Sequence, residues 1–397
     1  MSAPSIPHLS TLLSRGGSRG RGGRGRGRGG VETDPSASRA ALHDKTIQGT
    51  DGDAASSRAS AVTLGYLTDP YALAFAQIPP PRRYPLINRG TYVRTTALDR
   101  LITLFLSSPT TSKKQIISLG AGSDTRFFRL ASTYGTDLVY HELDFLTNAT
   151  AKVSKILDTA SLKSALQSTL ASPTTISVSS DRSSLHSPTL NIHPLDLRNL
   201  VTSSAPSTLP NLDPSLPTLI LSECCLTYLP ISSANPILTH ILTTMLRPST
   251  PAAALLYEPL HPRDAFGQTM ASNLASRNIS MPSLQALPTL EAHRGRLRTL
   301  GLTQVGGRTV RDIYASSSAS EWISLAERAR VERLEWVDEV EEWNLLAGHY
   351  GIIWGWRDAD GEDGGVFGRA WGRVPGHWRE DEKGMDELHA ASLVGEN

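Results

Sequence analysis

Residues 119–125 read Leu-Gly-Ala-Gly-Ser-Asp-Thr, an apolar run that stops at two glycines and turns polar. Gly120 permits a tight turn that other residues resist, and Gly122 lets a ligand approach the backbone closely. Asp144 ends the next apolar run, where a carboxylate can accept two hydrogen bonds from ribose hydroxyls. Asp196-Leu197 follows a third run. There the acid could take the exocyclic amine of an adenine while the leucine covers the ring, or Asp196 could cap a helix. Glu223 follows a fourth. Its carboxylate suits a sulfonium or ammonium cation and would equally suit a helix N-terminus. Thr125 stands where a dinucleotide fingerprint has its third glycine, the one that packs a helix beside a pyrophosphate. A nucleoside ligand without a pyrophosphate therefore fits better than a nicotinamide dinucleotide, and no Tyr-x-x-x-Lys hydride-transfer pair is evident. The glycines alone are also compatible with an ordinary strand-to-helix turn.

Strands must carry these residues to one edge. The spacing predicts strands at Gln115–Leu119, within Asp137–Phe145, at Asn191–Pro194, Thr218–Ser222 and Ala252–Tyr257. Val93, Ala97, Leu98, Leu101, Leu104 and Phe105 recur at helical spacing and predict a helix over Thr91–Leu106. Another helix is predicted over Ala149–Leu157. Ala61–Gln77 starts as a helix, breaks near Asp69-Pro70 and is ended by the prolines at 79–81. This alternation predicts an α/β fold, a doubly wound and mostly parallel sheet with added N-terminal helices. Residues 158–190 read as a Ser/Thr-rich insertion that could roof a pocket. Ser320–Ala347 reads as one charged surface helix and His349–Trp356 as a last strand.

The 397 residues carry a net charge of +1, and six arginines at 15, 19, 21, 24, 26 and 28 lie in a tract with no acid before Glu32. Without them the remainder carries −5, so no basic nucleic-acid face is expected on the body. The tract 15–30 is of the RGG type, too rich in glycine and like charge to form a core. It can contact RNA through phosphates and guanidinium stacking, or be a solvated extension. The expected organisation is a disordered tail over 1–56, one domain over 57–357 and an irregular tail over 358–397. The only cysteines, Cys224 and Cys225, are adjacent, which disfavours a disulfide and offers no metal spacing. No apolar run is long enough for a membrane span, and no apolar stretch behind the N-terminal charges suggests a secretory signal. The expectation is a monomer in a reducing compartment, cytoplasmic or also nuclear, with no metal and no membrane contact.

Taken together, the motifs resemble the leucine carboxyl methyltransferases. The resemblance runs through Gly65–Tyr71, Ile87–Arg94, Leu119–Thr125, Glu142–Phe145, Asp196-Leu197, Glu223–Tyr228 and His349-Tyr350, in order and over about 57–357. It implies an S-adenosylmethionine-dependent fold whose last strand is antiparallel. Arg94 would bind the methionine carboxylate, Gly120 and Gly122 would line the cofactor, and Asp144 would hold the ribose. Asp196 and Leu197 would contact the adenine, and Glu223 the amino group. Arg58 stands where the family often has a lysine, which keeps the charge and changes the geometry. The implied acceptor is the C-terminal leucine of the type 2A protein phosphatase catalytic subunit, whose methyl ester regulates holoenzyme assembly. Its carboxylate, with a pKa of about 3.5, is already ionised at neutral pH, so no general base is assigned. Tyr228 and Arg89 are candidates for orienting it, with a packed aromatic and an ion-pair partner as the alternatives. A tRNA base side chain or a small carboxylic acid is a second acceptor class, although tRNA relatives carry a further C-terminal domain for which this chain leaves no room. An RNA-associated protein acting through the RGG tract is a third reading.

Overall fold

The first apolar run forms a strand, β1 (Lys114–Leu119), and every residue in it is buried. A strand reads this way when helices cover both faces of its sheet. The others are β2 (Leu138–Asp144), β3 (Ser177–Val178), β4 (Leu185–His186), β5 (Leu190–Pro194), β6 (Thr218–Glu223), β7 (Ala252–Pro259), β8 (Gln304–Thr309) and β9 (Tyr350–Arg357). The computed structural model describes residues 35–110, 112–315, 322–338, 340–358 and 364–376. The RGG tract, with the expectations attached to it, lies outside these residues.

The nine strands form one sheet in the order β3-β4-β5-β2-β1-β6-β7-β9-β8. The five central strands, β5 to β7, are parallel. β9 runs antiparallel to β7 with Pro259 opposite Tyr350, as expected of the last strand. Two features went unread: β8 pairs with the outer edge of β9, and the Ser/Thr-rich insertion forms a helix, Ala160–Gln167, and then the β3–β4 hairpin that extends the opposite edge.

Helix α1 spans Pro35–Thr63 and α2 spans Pro85–Ser107. Pro85 opens α2 where its missing N–H costs nothing. Val93, Leu98, Leu101 and Phe105 are fully buried against one sheet face, and each stabilises the fold by about 1.5–3 kcal/mol. On the other face Leu297 joins Ile220, Leu256 and Ile353. The remaining labelled helices are α3 (Arg126–Tyr134), α4 (Leu146–Asp158), α5 (Leu290–Thr299) and α6 (Val340–Gly348).

Three expected boundaries are corrected. Residues 35–56, read as tail from their polar composition, belong to α1. Ala55 and Ala59 of this helix are buried. The expected helix over Ser320–Ala347 is two shorter ones, Leu325–Glu332 and α6. Between them Glu335 turns inward to accept from Arg82 at 2.7 Å and Asn88 at 2.8 Å, which takes the chain off a helical path. The C-terminal stretch is not wholly irregular, since Val366–Trp371 is a helix. Phe367 stacks on Phe105 with ring centroids 4.6 Å apart, and Trp371 donates to the Leu101 carbonyl at 2.9 Å.

Candidate active site

Strand order reverses between β1 and β6, the place where open α/β sheets bind ligands beyond their carboxyl ends. A cavity of about 570 Å³ opens there. Gly120, Gly122, Asp144, Asp196, Leu197, Glu223 and Tyr228 line it from the strand ends, Arg94 from α2 and Arg58 from α1. Every residue expected to hold the cofactor thus reaches one cavity. Arg89 is not part of the lining. Its guanidinium lies 5.3 Å from the Tyr314 ring and 5.5 Å from the Trp343 ring, so the acceptor-orienting role is corrected to packing. The insertion at 158–190 contributes nothing to the lining either, since it forms a helix and the hairpin at the sheet edge.

The glycine loop is shaped as its sequence requires. Gly120 and Gly122 have φ of +63° and +45°. A Cβ on Gly120 would stand 2.6 Å from Cys225 Sγ, and one on Gly122 would collide with the Asp51 carboxylate. The Gly122 N–H donates to Asp144 Oδ2 at 2.6 Å, while Phe145 N and Asn148 Nδ2 donate to Oδ1 at 2.7 and 3.0 Å. A carboxylate has about four acceptor sites, so roughly one is left for a ribose hydroxyl. Burial raises the Asp144 pKa, and these three hydrogen bonds oppose the rise. Asp51 of α1 covers the loop, accepting from Ser123 N and Oγ, both at 2.7 Å.

Asp196 caps the short 3-10 helix Leu197–Val201 by accepting from Arg198 N at 2.9 Å, and it also lines the cavity. The capping reading therefore holds, and the cap leaves Asp196 at the cavity wall. Arg198 joins Asp196 at 2.5 Å to Asp44 of α1 at 2.6 Å, fastening the helix beside the pocket.

The methionine end is the most highly charged part. Arg94 Nε lies 3.5 Å from Glu223 Oε2, and its guanidinium lies 5.4 Å from the Tyr257 ring. Burial would lower the Arg94 pKa, but the Glu223 carboxylate, with Tyr257 and Cys224 beside it, outweighs this and the net shift is upward. Arg58 reaches Asp124 at 3.1 Å and donates to Thr125 Oγ1 at 2.8 Å. Arg126, which sequence reasoning missed, donates to Asp99 and Asp124, each at 2.7 Å, and to Glu223. Arg129 pairs with Asp99 at 2.5 Å and lies 3.7 Å from Asp69, which is 3.9 Å from Arg58. Asp51, Tyr257, Tyr350 and Trp343 also line the cavity without having been singled out for it. For Tyr350 the His-Tyr pair at the start of the last strand was the available signal.

Among the described residues no group of three His, Cys, Asp or Glu could hold a metal, and no helix is long and apolar enough to cross a membrane. Burial pushes both cysteine thiols up, so they stay protonated and are poor nucleophiles. Burial also pushes the Tyr228 and Tyr257 phenols up, leaving them hydrogen-bond donors rather than bases.

The family model described as leucine carboxyl methyltransferase matches residues 46–242. Leucine carboxyl methyltransferase 1 of Aspergillus fumigatus is 46% identical over 408 residues, covering 95% of this chain and 99% of the relative. The chain belongs to the leucine carboxyl methyltransferase family. The protein of the same name from Emericella nidulans is 44% identical over 403 residues, covering 96% of this chain and all of the relative. A solved cyclopropane synthase from Mycobacterium tuberculosis superposes with a TM-score of 0.39 at 13% identity, over 75% of this chain and 97% of that one. As a leucine carboxyl methyltransferase the chain is a methyl-transferring enzyme, and the cavity beyond β1 and β6 is its candidate site.

The residues present fit S-adenosylmethionine. Arg94 Nε is buried with no hydrogen-bond acceptor among the described residues, and a buried donor is seldom left so unless a ligand or water completes it. Opposite it, Glu223 offers a carboxylate, and the glycine loop leaves the room that a Cβ would take.

Proposed function

We propose that the chain moves a methyl group from S-adenosylmethionine to the α-carboxylate of the C-terminal leucine of the type 2A protein phosphatase catalytic subunit. The observation that carries this reading is the Arg94–Glu223 pair at the cavity wall, one cation and one anion 3.5 Å apart. The amino and carboxylate groups of a methionine moiety can separate and satisfy that pair. Asp144 would hold the ribose. Leu197 would cover the adenine while Asp196 faces its edge. Bound in this way, S-adenosylmethionine supplies an electrophilic methyl on a sulfonium.

The acceptor carboxylate arrives ionised, so the protein has no proton to remove from it. Its task is to align the nucleophile and strip its water. Good alignment contributes up to about 7–11 kcal/mol to such a transfer. Tyr228 and Tyr257, kept protonated by burial, are donors beside the cavity that can orient a carboxylate. Leu346, Ala347, Ile279 and Leu274 line the same cavity and offer apolar surface for a leucine side chain. Burying that side chain stabilises the complex by about 1.5–3 kcal/mol.

The test uses labelled S-adenosylmethionine and the phosphatase catalytic subunit, either intact or lacking its last leucine. Base-labile label is expected only in the intact subunit. Equal labelling of both forms, or of neither, would overturn the acceptor assignment.

A further inference from the structure

We infer that Arg126 is a positioning residue for the amino-acid end of the methyl donor, because it fixes one oxygen of Glu223 and leaves the other facing Arg94. The inference rests on the S-adenosylmethionine reading above and adds to it a residue outside the motifs that suggested it.

Arg126 begins α3, directly after the glycine loop, and its side chain is 1% exposed. Its guanidinium has three carboxylate partners. Nε donates to Asp99 Oδ1, and Nη1 donates to Asp124 Oδ2 and to Glu223 Oε1. Asp99 and Asp124 belong to a closed ring of ion pairs running Arg126, Asp99, Arg129, Asp69, Arg58, Asp124 and back to Arg126. The ring ties α1, α2 and the glycine loop together. Glu223 and Arg94 form a branch from Arg126 that ends in the cavity.

The charges in the ring and branch cancel, with four arginines against four acids. Removing ions from water is costly, and such an arrangement is retained only where each charge is paired in good geometry. Three guanidinium atoms here lack an acceptor among the described residues, Arg126 Nη2, Arg129 Nε and Arg94 Nε, and of these residues Arg94 alone lines the cavity. Arg126 occupies Oε1 of Glu223, so the carboxylate cannot swing round to take the Arg94 guanidinium in a bidentate fork. Arg94 Nε stays 3.5 Å from Oε2 and is left without an acceptor among the described residues. A zwitterion is neutral as a whole, so it can enter this gap without disturbing the charge sum. Its ammonium would meet Oε2 and its carboxylate would meet Arg94.

Lysine keeps the charge of Arg126 but has a single ammonium in place of a planar fork, so it cannot hold Asp99 and Glu223 at opposite edges. A purely structural ring would lose stability in the Arg126→Lys variant and bind all nucleosides worse by one factor. A positioning role predicts a loss confined to ligands that carry the amino-acid end. The discriminating ligands are S-adenosylhomocysteine and 5′-methylthioadenosine, which share the nucleoside and differ in that end.

Calorimetry on the full chain measures both Kd values for the wild type, Arg126→Lys and Asp99→Asn. Asp99→Asn releases Arg126 from the side away from the cavity. The Kd for S-adenosylhomocysteine is expected to rise about tenfold in Arg126→Lys and about threefold in Asp99→Asn, with that for 5′-methylthioadenosine unchanged, since one hydrogen bond to a charged group is misplaced. An equal rise for both ligands, no rise for either, or loss of the fold in both variants would overturn the inference. A wild type that binds neither ligand would instead remove the S-adenosylmethionine reading on which it rests.

Discussion

Glu223 and Glu258 end neighbouring parallel strands, yet the fold treats them differently. Glu223 pairs across the sheet with Tyr257, and Glu258 is the next residue along β7. Glu223 stands at the cavity wall with Arg94 on one oxygen and Arg126 on the other. Glu258 is 2% exposed, its Oε1 has no hydrogen-bond partner among the described residues, and it does not line the cavity. The charge that opposes its burial, Arg296, donates its Nε to Asn235 at 2.7 Å instead. Burial raises the Glu258 pKa to about 8, and Arg296 opposes this only in part. A carboxylate at the end of a buried strand is therefore serviceable only where the fold brings guanidinium groups to it. Two stand at Glu223, and among the described residues none forms an ion pair with Glu258.

The sharpest way to break the comparison is to remove the cavity-side cation. Arg94→Ala would leave both Glu223 and the ligand carboxylate short of a partner. Truncating one side of a buried charge pair costs about 2–5 kcal/mol. The Kd for S-adenosylhomocysteine is expected to rise about 100-fold, near 2.7 kcal/mol. A rise below about threefold in calorimetry would mean that Arg94 does not touch the ligand. Glu223→Gln is gentler, since the amide keeps one oxygen for the ammonium, although it loses the charge and turns an NH2 in place of an acceptor toward Arg126. A rise of about tenfold is expected, together with a higher Kd ratio of S-adenosylhomocysteine to 5′-methylthioadenosine. An unchanged ratio would show that Glu223 faces some other part of the ligand.

The sequence made one side of this comparison legible and left the other hidden, for physical reasons. Gly120, Asp144, Asp196 and Glu223 could be placed because each ends or follows an apolar strand, and parallel strands deliver their ends to one edge. Arg126 could not be placed so. It sits beside Phe127 and Phe128 in what reads as an amphipathic helix, and its partners Asp99 and Glu223 lie 27 and 97 residues away. No local pattern records such a pairing. Helix α1 was missed because its cavity half has little apolar periodicity and contains Gly49 and Gly52, which weaken a helix. It is held by distant polar contacts, Asp44 to Arg198, Asp51 to Ser123 and Asp53 to Arg277. Arg89 was misplaced for a simpler reason. It precedes Arg94 by five residues, about 140° around a helix. With Arg94 turned to the cavity, Arg89 must face the aromatic packing instead.

Glu258 offers the smallest effect and the finest contrast, because it can be altered without touching the cavity. In the unfolded chain its carboxyl has an ordinary pKa near 4.5, and in the folded protein the value is about 8. Between these values the folded state binds the proton and the unfolded state does not, so stability falls as pH rises through that window. His193 and His293, both held neutral by burial with values lowered to about 3, work in the opposite sense. Their contribution rises with pH between about 3 and 6.5 and is complete above it. Above neutrality the remaining slope therefore contains Glu258, with a smaller share from Glu142, whose value burial raises to about 7 against the pull of Lys152. Glu258→Gln removes the ionisation while keeping the shape. The variant is expected to match the wild-type Tm at pH 5, to exceed it by roughly 5 °C at pH 9, and to bind S-adenosylhomocysteine with unchanged Kd. A Tm difference that did not grow between pH 5 and pH 9 would mean that Glu258 has a partner after all, and the contrast with Glu223 would collapse.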